Sequence, residues 1–208
     1  MFDRKKILIS FLILLLLVGG FFVWHKYFRL TPPEDWDSAE TFSRETYNIK
    51  NTDEGRIVEN EKAGITFKIP KGWEVREDKV SHNDFTLYSS NAVPGISTYL
   101  FDSLRKGCRI NMKIKNINTN IETLKNYLTN KDQNSGENIE IDEIKEIRLD
   151  NKKAIKRAVK VASLKMEYTI FHIKYDNEII IINLGSSLNN KQQCTEVFNE
   201  FVETISFK

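Results

Sequence analysis

Apolar and polar positions divide the chain into two unlike stretches. Ile7 to Trp24 reads ILISFLILLLLVGGFFVW, eighteen residues without a charge. A helix rises about 1.5 Å per residue, so this run covers roughly 27 Å, enough for the hydrocarbon core of a bilayer. The pattern predicts an N-terminal transmembrane helix over 7–24 after a short stub, 1–6. Residues 25–56 have few aliphatics, many charges and the pair Pro32-Pro33, which reads as a linker, mostly a disordered spacer.

From 57 onward the apolar residues recur with a period of two. Ile65, Phe67 and Ile69 alternate with Thr66 and Lys68, the signature of a half-buried strand, and Pro70 and Gly72 end it. Trp73 to Arg76 and Phe85 to Tyr88 predict two more strands. Residues 89–107, with Pro94-Gly95 at their centre, read as a loop folding back onto the core. Ile110, Met112 and Ile114 alternate with Asn111, Lys113 and Lys115. Thr119-Asn120-Ile121-Glu122 fits a capping box opening a helix whose apolar face is Ile121, Leu124 and Leu128. After a polar loop over 131–138, residues 139–149 are strand-like with a phase change near 143–145 that predicts a bulge. A turn at Asp150-Asn151-Lys152-Lys153 leads to strands over 155–161 and 166–175. Asp176-Asn177 is a hairpin turn, and EIIIINL (178–184) predicts a central strand. Cys194, Val197, Phe198, Phe201 and Ile205 recur at helical spacing in a final helix over 190–203, and Ile205-Ser206-Phe207 adds a short strand. Six to eight strands on short turns with two helices exclude a parallel βαβ sheet. The expected fold is α+β: an antiparallel sheet with helices packed on it.

Charge bears on topology and partners. The chain holds 31 Lys and Arg against 29 Asp and Glu. Arg4, Lys5 and Lys6 precede the apolar run, while Lys26 and Arg29 follow it, so the positive-inside bias puts the N-terminus in the cytoplasm and the module over 57–208 outside it. A cleaved signal is the alternative, but its apolar region is usually shorter, and no A-x-A-like site follows Gly19-Gly20. Basic and acidic residues interleave through the module rather than forming a stripe, which argues against nucleic acid. None of the 19 Asn stands in an N-x-[ST] acceptor site, in keeping with a bacterial source. Two cysteines, Cys108 and Cys194, in one extracytoplasmic domain are a disulfide candidate; two separately buried thiols are the alternative.

Ile65-Thr66-Phe67-Lys68-Ile69-Pro70-Lys71-Gly72-Trp73 resembles the opening of PsbP-like (Mog1/PsbP fold) domains. The close resembles theirs too: an apolar strand over 179–184, a helix with Phe198 and Phe201, then Ile205-Ser206-Phe207. The resemblance spans about residues 57–208. It implies a curved antiparallel sheet between helices in a sandwich, and a non-enzymatic accessory or binding role, with no catalytic residues to carry over. The membrane anchor and the cysteine pair depart from the plant and nuclear members.

Candidate chemistry is sparse. His25, His82 and His172 have no ligand spacing, so no metal site and no cofactor are assigned. No family signature surrounds Cys108 or Cys194 to mark a Cys–His nucleophile with His172. Gly185-Ser186-Ser187 lies between strand and helix but lacks the glycines and lysine of a phosphate loop; a strand-to-helix turn with a serine cap explains it. No catalytic residue is assigned. The expectation is a single-pass, membrane-anchored, extracytoplasmic interaction or accessory domain of an envelope protein complex. Two alternatives stay open. One is an envelope hydrolase or transferase using carboxylates, among them Glu137, Glu140, Asp142, Glu143 and Glu146, in a cleft under 89–107. The other is a carrier with an apolar cavity lined by Phe67, Ile114 and Ile181. The aromatics Trp73, Tyr88, Tyr99, Phe101 and Tyr168 line a groove in one reading and pack the core in the other.

Overall fold

The computed structural model describes residues 36, 39–41, 44–76, 84–97, 102–133, 139–142 and 144–208. The apolar run over 7–24, with its flanks, lies outside these residues. Among the described residues no helix is long and apolar enough to cross a membrane.

The strands are β1 (Asn48–Thr52), β2 (Gly55–Asn60), β3 (Ile65–Lys68), β4 (Glu74–Val75), β5 (Phe85–Tyr88), β6 (Val93–Ser97), β7 (Asp102–Lys106), β8 (Cys108–Asn116), β9 (Ile139–Ile141), β10 (Lys145–Leu149), β11 (Lys152–Val161), β12 (Met166–Tyr175), β13 (Glu178–Ser187) and β14 (Ser206–Phe207). The helices are α1 (Ile121–Gln133) and α2 (Lys191–Glu203). An eight-stranded sheet runs β10-β11-β12-β13-β8-β5-β4, with β9 also paired to β11. A four-stranded sheet runs β1-β2-β3-β14, and β6 and β7 form a separate hairpin. Every pairing between these strands is antiparallel. The α+β class holds, with more strands and a second sheet that apolar alternation alone did not reveal.

Register decides what each face of the large sheet buries, because successive side chains point to opposite sides. Ile110, Met112 and Ile114 stand opposite Leu184, Ile182 and Ile180, so all six share one face. The small sheet and α2 cover that face through Val58, Ile65, Phe67, Phe198 and Phe201 in one core. Phe67 meets Phe85 and Phe201 edge-on, at 5.7 and 5.5 Å between ring centres, a favoured aromatic geometry. The other face is covered at its two ends. Ile121, Leu124 and Leu128 of α1 join Trp36, Ile155 and Ile179 at one end. At the other, Leu104 of β7 packs with Tyr88, Val159, Val161, Met166, Tyr168 and Ile170.

Several local expectations shift. The first strand begins at Asn48, inside the segment read as spacer, and Trp36 in the same segment is 7% exposed. Pro94 and Gly95 lie in strand β6 rather than in a loop, in a hairpin whose register is irregular at Pro94; Pro is tolerated at such irregular positions. The cap of α1 is Asn120, whose Oδ1 accepts from Thr123 N at 2.8 Å, one residue after the expected Thr119. The helix runs on to Gln133, into the polar loop. The bulge appears as read: between the pairs Ile141–Val159 and Lys145–Lys156, three residues stand opposite two. Asp150 and Asn151, at φ 42° and 62°, make the left-handed hairpin turn between β10 and β11.

Candidate functional site

The disulfide end of the large sheet holds a groove of about 580 Å³, a volume usual for ligand sites. It is built around the turn from β7 to β8. Gly107 adopts φ 87°, and a Cβ there would stand 2.7 Å from the Ala92 Cα, so both the backbone angle and the close approach require glycine. Gly107 N donates to Asn190 Oδ1 at 3.0 Å, and its carbonyl accepts from Ser187 N at 3.3 Å. Cys108, next in sequence and paired in register with Ser186, is bonded to Cys194 of α2 with 5.6 Å between Cα atoms, within the usual disulfide range. Cys108 N donates to Ser89 Oγ at 3.0 Å. The segment 187–190 is thereby fixed from both sides.

That segment forms one wall of the groove with Ser187, Leu188 and Asn189; β7 gives Ser103, Leu104 and Arg105, and the β11–β12 turn gives Ser163, Leu164 and Lys165. Lys165, at φ 52°, closes that turn by donating its N–H to the Ala162 carbonyl at 3.1 Å. Three leucines make an apolar lining, and Arg105 and Lys165 are exposed cations. Among the described residues neither cation has an ion-pair partner, and none of those lining the groove is a carboxylate. Its described lining sets two cations beside three leucines and the hydroxyls of Ser103, Ser163 and Ser187.

At the opposite end of the same face, Trp36 is seated among side chains of the sheet and α1. Lys115 Nζ lies 5.0 Å from the centre of its ring and donates to its backbone carbonyl. Tyr127 and His172 flank the indole at 5.8 and 6.0 Å. Downstream, Asn116 N donates to the Glu40 carbonyl at 2.9 Å and Thr41 bridges to Lys115. Between the two ends, register brings His172, Asn183 and Arg157 onto one face. His172 Nδ1 and Asn183 Oδ1 are buried there without a hydrogen-bond partner. Burial, then the positive charge of Arg157, pushes the His172 imidazole down to about 3.

The residues singled out in the sequence fall as follows. Cys108 and Cys194 form the disulfide, so neither is a free thiol available as nucleophile. His25, His82, Tyr99, Phe101, Glu137 and Glu143 lie outside the described residues. Trp73 and Tyr168 are core residues. Gly185, Ser186 and Ser187 belong to strand β13, not to a turn, and Ser187 makes no helix-capping bond; Tyr168 packs so near Gly185 that a Cβ would come within 3.0 Å of its ring. The described carboxylates of that set, Glu140, Asp142 and Glu146, lie outside the lining that 95 and 103–105 give to the groove. Glu140 pairs with Lys160 at 2.7 Å and Glu146 with Lys125 at 2.8 Å. Glu140 and Asp142 line a separate depression of about 190 Å³ with Glu167, Lys160 and Lys191. The apolar cavity does not form either: Phe67 and Ile114 are fully enclosed in the main core, and Ile181 points to the other face of the sheet. The groove itself escapes sequence reading, because its lining comes from segments about 60 and 25 residues apart.

No protein-family model matches the chain, and no curated protein matches it. Among solved structures it is similar in fold to PsbP (CyanoP) of Synechocystis sp. PCC 6803, at 10% identity over 78% of this chain and 93% of that one, TM-score 0.45. It is similar to LpqN of Mycobacterium tuberculosis, described as involved in cell envelope biogenesis, at 10% identity over 69% and 83%, TM-score 0.48. The Ran-binding protein Mog1p of Saccharomyces cerevisiae matches at 10% identity over 77% and 96%, TM-score 0.44. PsbP and Mog1p give their names to the fold that the sequence resembles.

Proposed function

We propose that the chain is a membrane-anchored binding module displayed outside the cytoplasm, without catalytic activity of its own, serving a protein complex of the cell envelope. The apolar run over 7–24 is its single transmembrane segment and the basic N-terminal stub stays inside. The observation that carries the binding reading is the groove: concave, walled by a segment that a disulfide and the Gly107 turn hold in place, and lined, among the described residues, by cations, hydroxyls and leucines and no carboxylate. Rigid walls lower the cost of ordering a bound partner. The disulfide supports an oxidising compartment, and tethering to the membrane raises the effective concentration for partners there.

The test uses Ser163, exposed at the groove. With both native cysteines bonded to each other, Ser163→Cys supplies one thiol. A membrane-impermeant maleimide added to intact cells labels it if the module is outside. Labelling only after lysis contradicts the reading.

A further inference from the structure

The groove is basic on two separate walls. Arg105 projects from β7 and Lys165 from the β11–β12 turn, both exposed, with Leu104, Leu164 and Leu188 in the same lining. Leu188, 36% exposed, carries the apolar lining out to the surface. The polar groups of the lining are the hydroxyls of Ser103, Ser163 and Ser187 and the Asn189 amide. An occupant that complements this surface carries negative charges spaced along a chain, with apolar groups between them. Small planar ligands are a poorer match, because the charges sit on walls built from different segments.

Position favours protein over lipid. Trp36 is the first described residue, and its cluster includes Ile179 at the start of β13. The groove takes Ser187 at the end of that strand. Eight residues at about 3.3 Å each separate the two sites by roughly 26 Å. With the anchor on the N-terminal side of Trp36, the groove is the end of the sheet farther from the point of attachment to the bilayer.

We infer that the groove at the disulfide end docks an extended, acidic, leucine-bearing peptide segment of another envelope protein, with its carboxylates on Arg105 and Lys165. The location in the envelope rests on the anchored reading above; the chemistry of the groove does not.

The experiment uses the full-length chain in a neutral detergent and a fluorescein-labelled ten-residue peptide alternating Glu and Leu, read by anisotropy. The Glu-Leu peptide binds, and raising salt from about 50 to 500 mM weakens binding several-fold, as screening of exposed charge pairs requires. An otherwise identical Gln-Leu peptide binds at least tenfold more weakly. The double variant Arg105→Glu/Lys165→Glu loses at least tenfold, and Arg105→Gln/Lys165→Gln falls between. Both changes sit at exposed positions, and an unchanged melting temperature verifies the fold. Equal binding of the Gln-Leu and Glu-Leu peptides overturns the inference, as does affinity unaffected by charge reversal. Displacement of the peptide by phosphatidylglycerol added to the detergent micelles, but not by phosphatidylcholine added in the same way, also overturns it, in favour of lipid headgroups. Because binding is read in detergent, its failure is separate from that of the anchored topology, which the labelling at position 163 reports alone.

Discussion

His172 makes the stability of this domain depend on pH in a definite direction. It is 2% exposed, with Ile155 and Ile181 as its register neighbours, the Trp36 ring against it, Lys115 over that ring and the charge of Arg157 acting on it. Its folded value of about 3 lies below the ordinary 6.5. Between those values the unfolded chain takes up the proton and the folded chain does not. Stability from this group is therefore complete above about pH 6.5 and falls as the pH drops toward 3, by at most about 1.4 kcal/mol per unit. In urea titrations the native domain should lose more stability than His172→Leu as the pH falls from 7 to 4. Parallel pH dependence of the two curves contradicts this. At the same scale Glu59 is also shifted down, but by its partners rather than by burial: hydrogen bonds from Lys208 and Lys50 hold its carboxyl at about 2, tying Lys208 and β1 to β2.

The element that changes most between sequence and structure is the stretch before β2. Trp36 sits in EDWD, a run whose charges read as solvated spacer, and a single aromatic has no periodicity to betray burial. Likewise β1 exposes all five of its residues, so it shows no alternation of buried and exposed positions. The hairpin of β6 and β7 was hidden by Pro94-Gly95, which imitate a loop. By contrast β3, β8, β12 and β13 were legible, because one or both faces of each pack on the core with a period of two, and α2 was legible through Cys194, Phe198 and Phe201. Trp36 is therefore a structural part of the domain. Trp36→Ala should destabilise it by about 3 kcal/mol, typical of a buried aromatic lost. Trypsin should then cut at Arg44 or Lys50 sooner than in the native chain while the rest stays resistant. An unchanged digestion pattern contradicts a seated Trp36.

At the scale of the whole molecule, the two ends of one sheet do different work. One end seats Trp36 on Lys115; the other presents a groove braced by Gly107, Asn190 and the Cys108–Cys194 bond. The bond joins residues 86 apart, a loop for which the chain-entropy model gives about 4.5 kcal/mol. The sequence offered the pair as a candidate, since only two cysteines are available, but not that their bond would brace a groove wall. The proposed display outside the cytoplasm and the rigidity of the groove wall both call for that bond to be formed in the cell. Counting thiols tests it most directly: the full-length chain is extracted from membranes, alkylated at once, denatured without reductant and titrated. The account predicts no titratable thiol per chain before reduction and two after it. Two titratable thiols before reduction would contradict it.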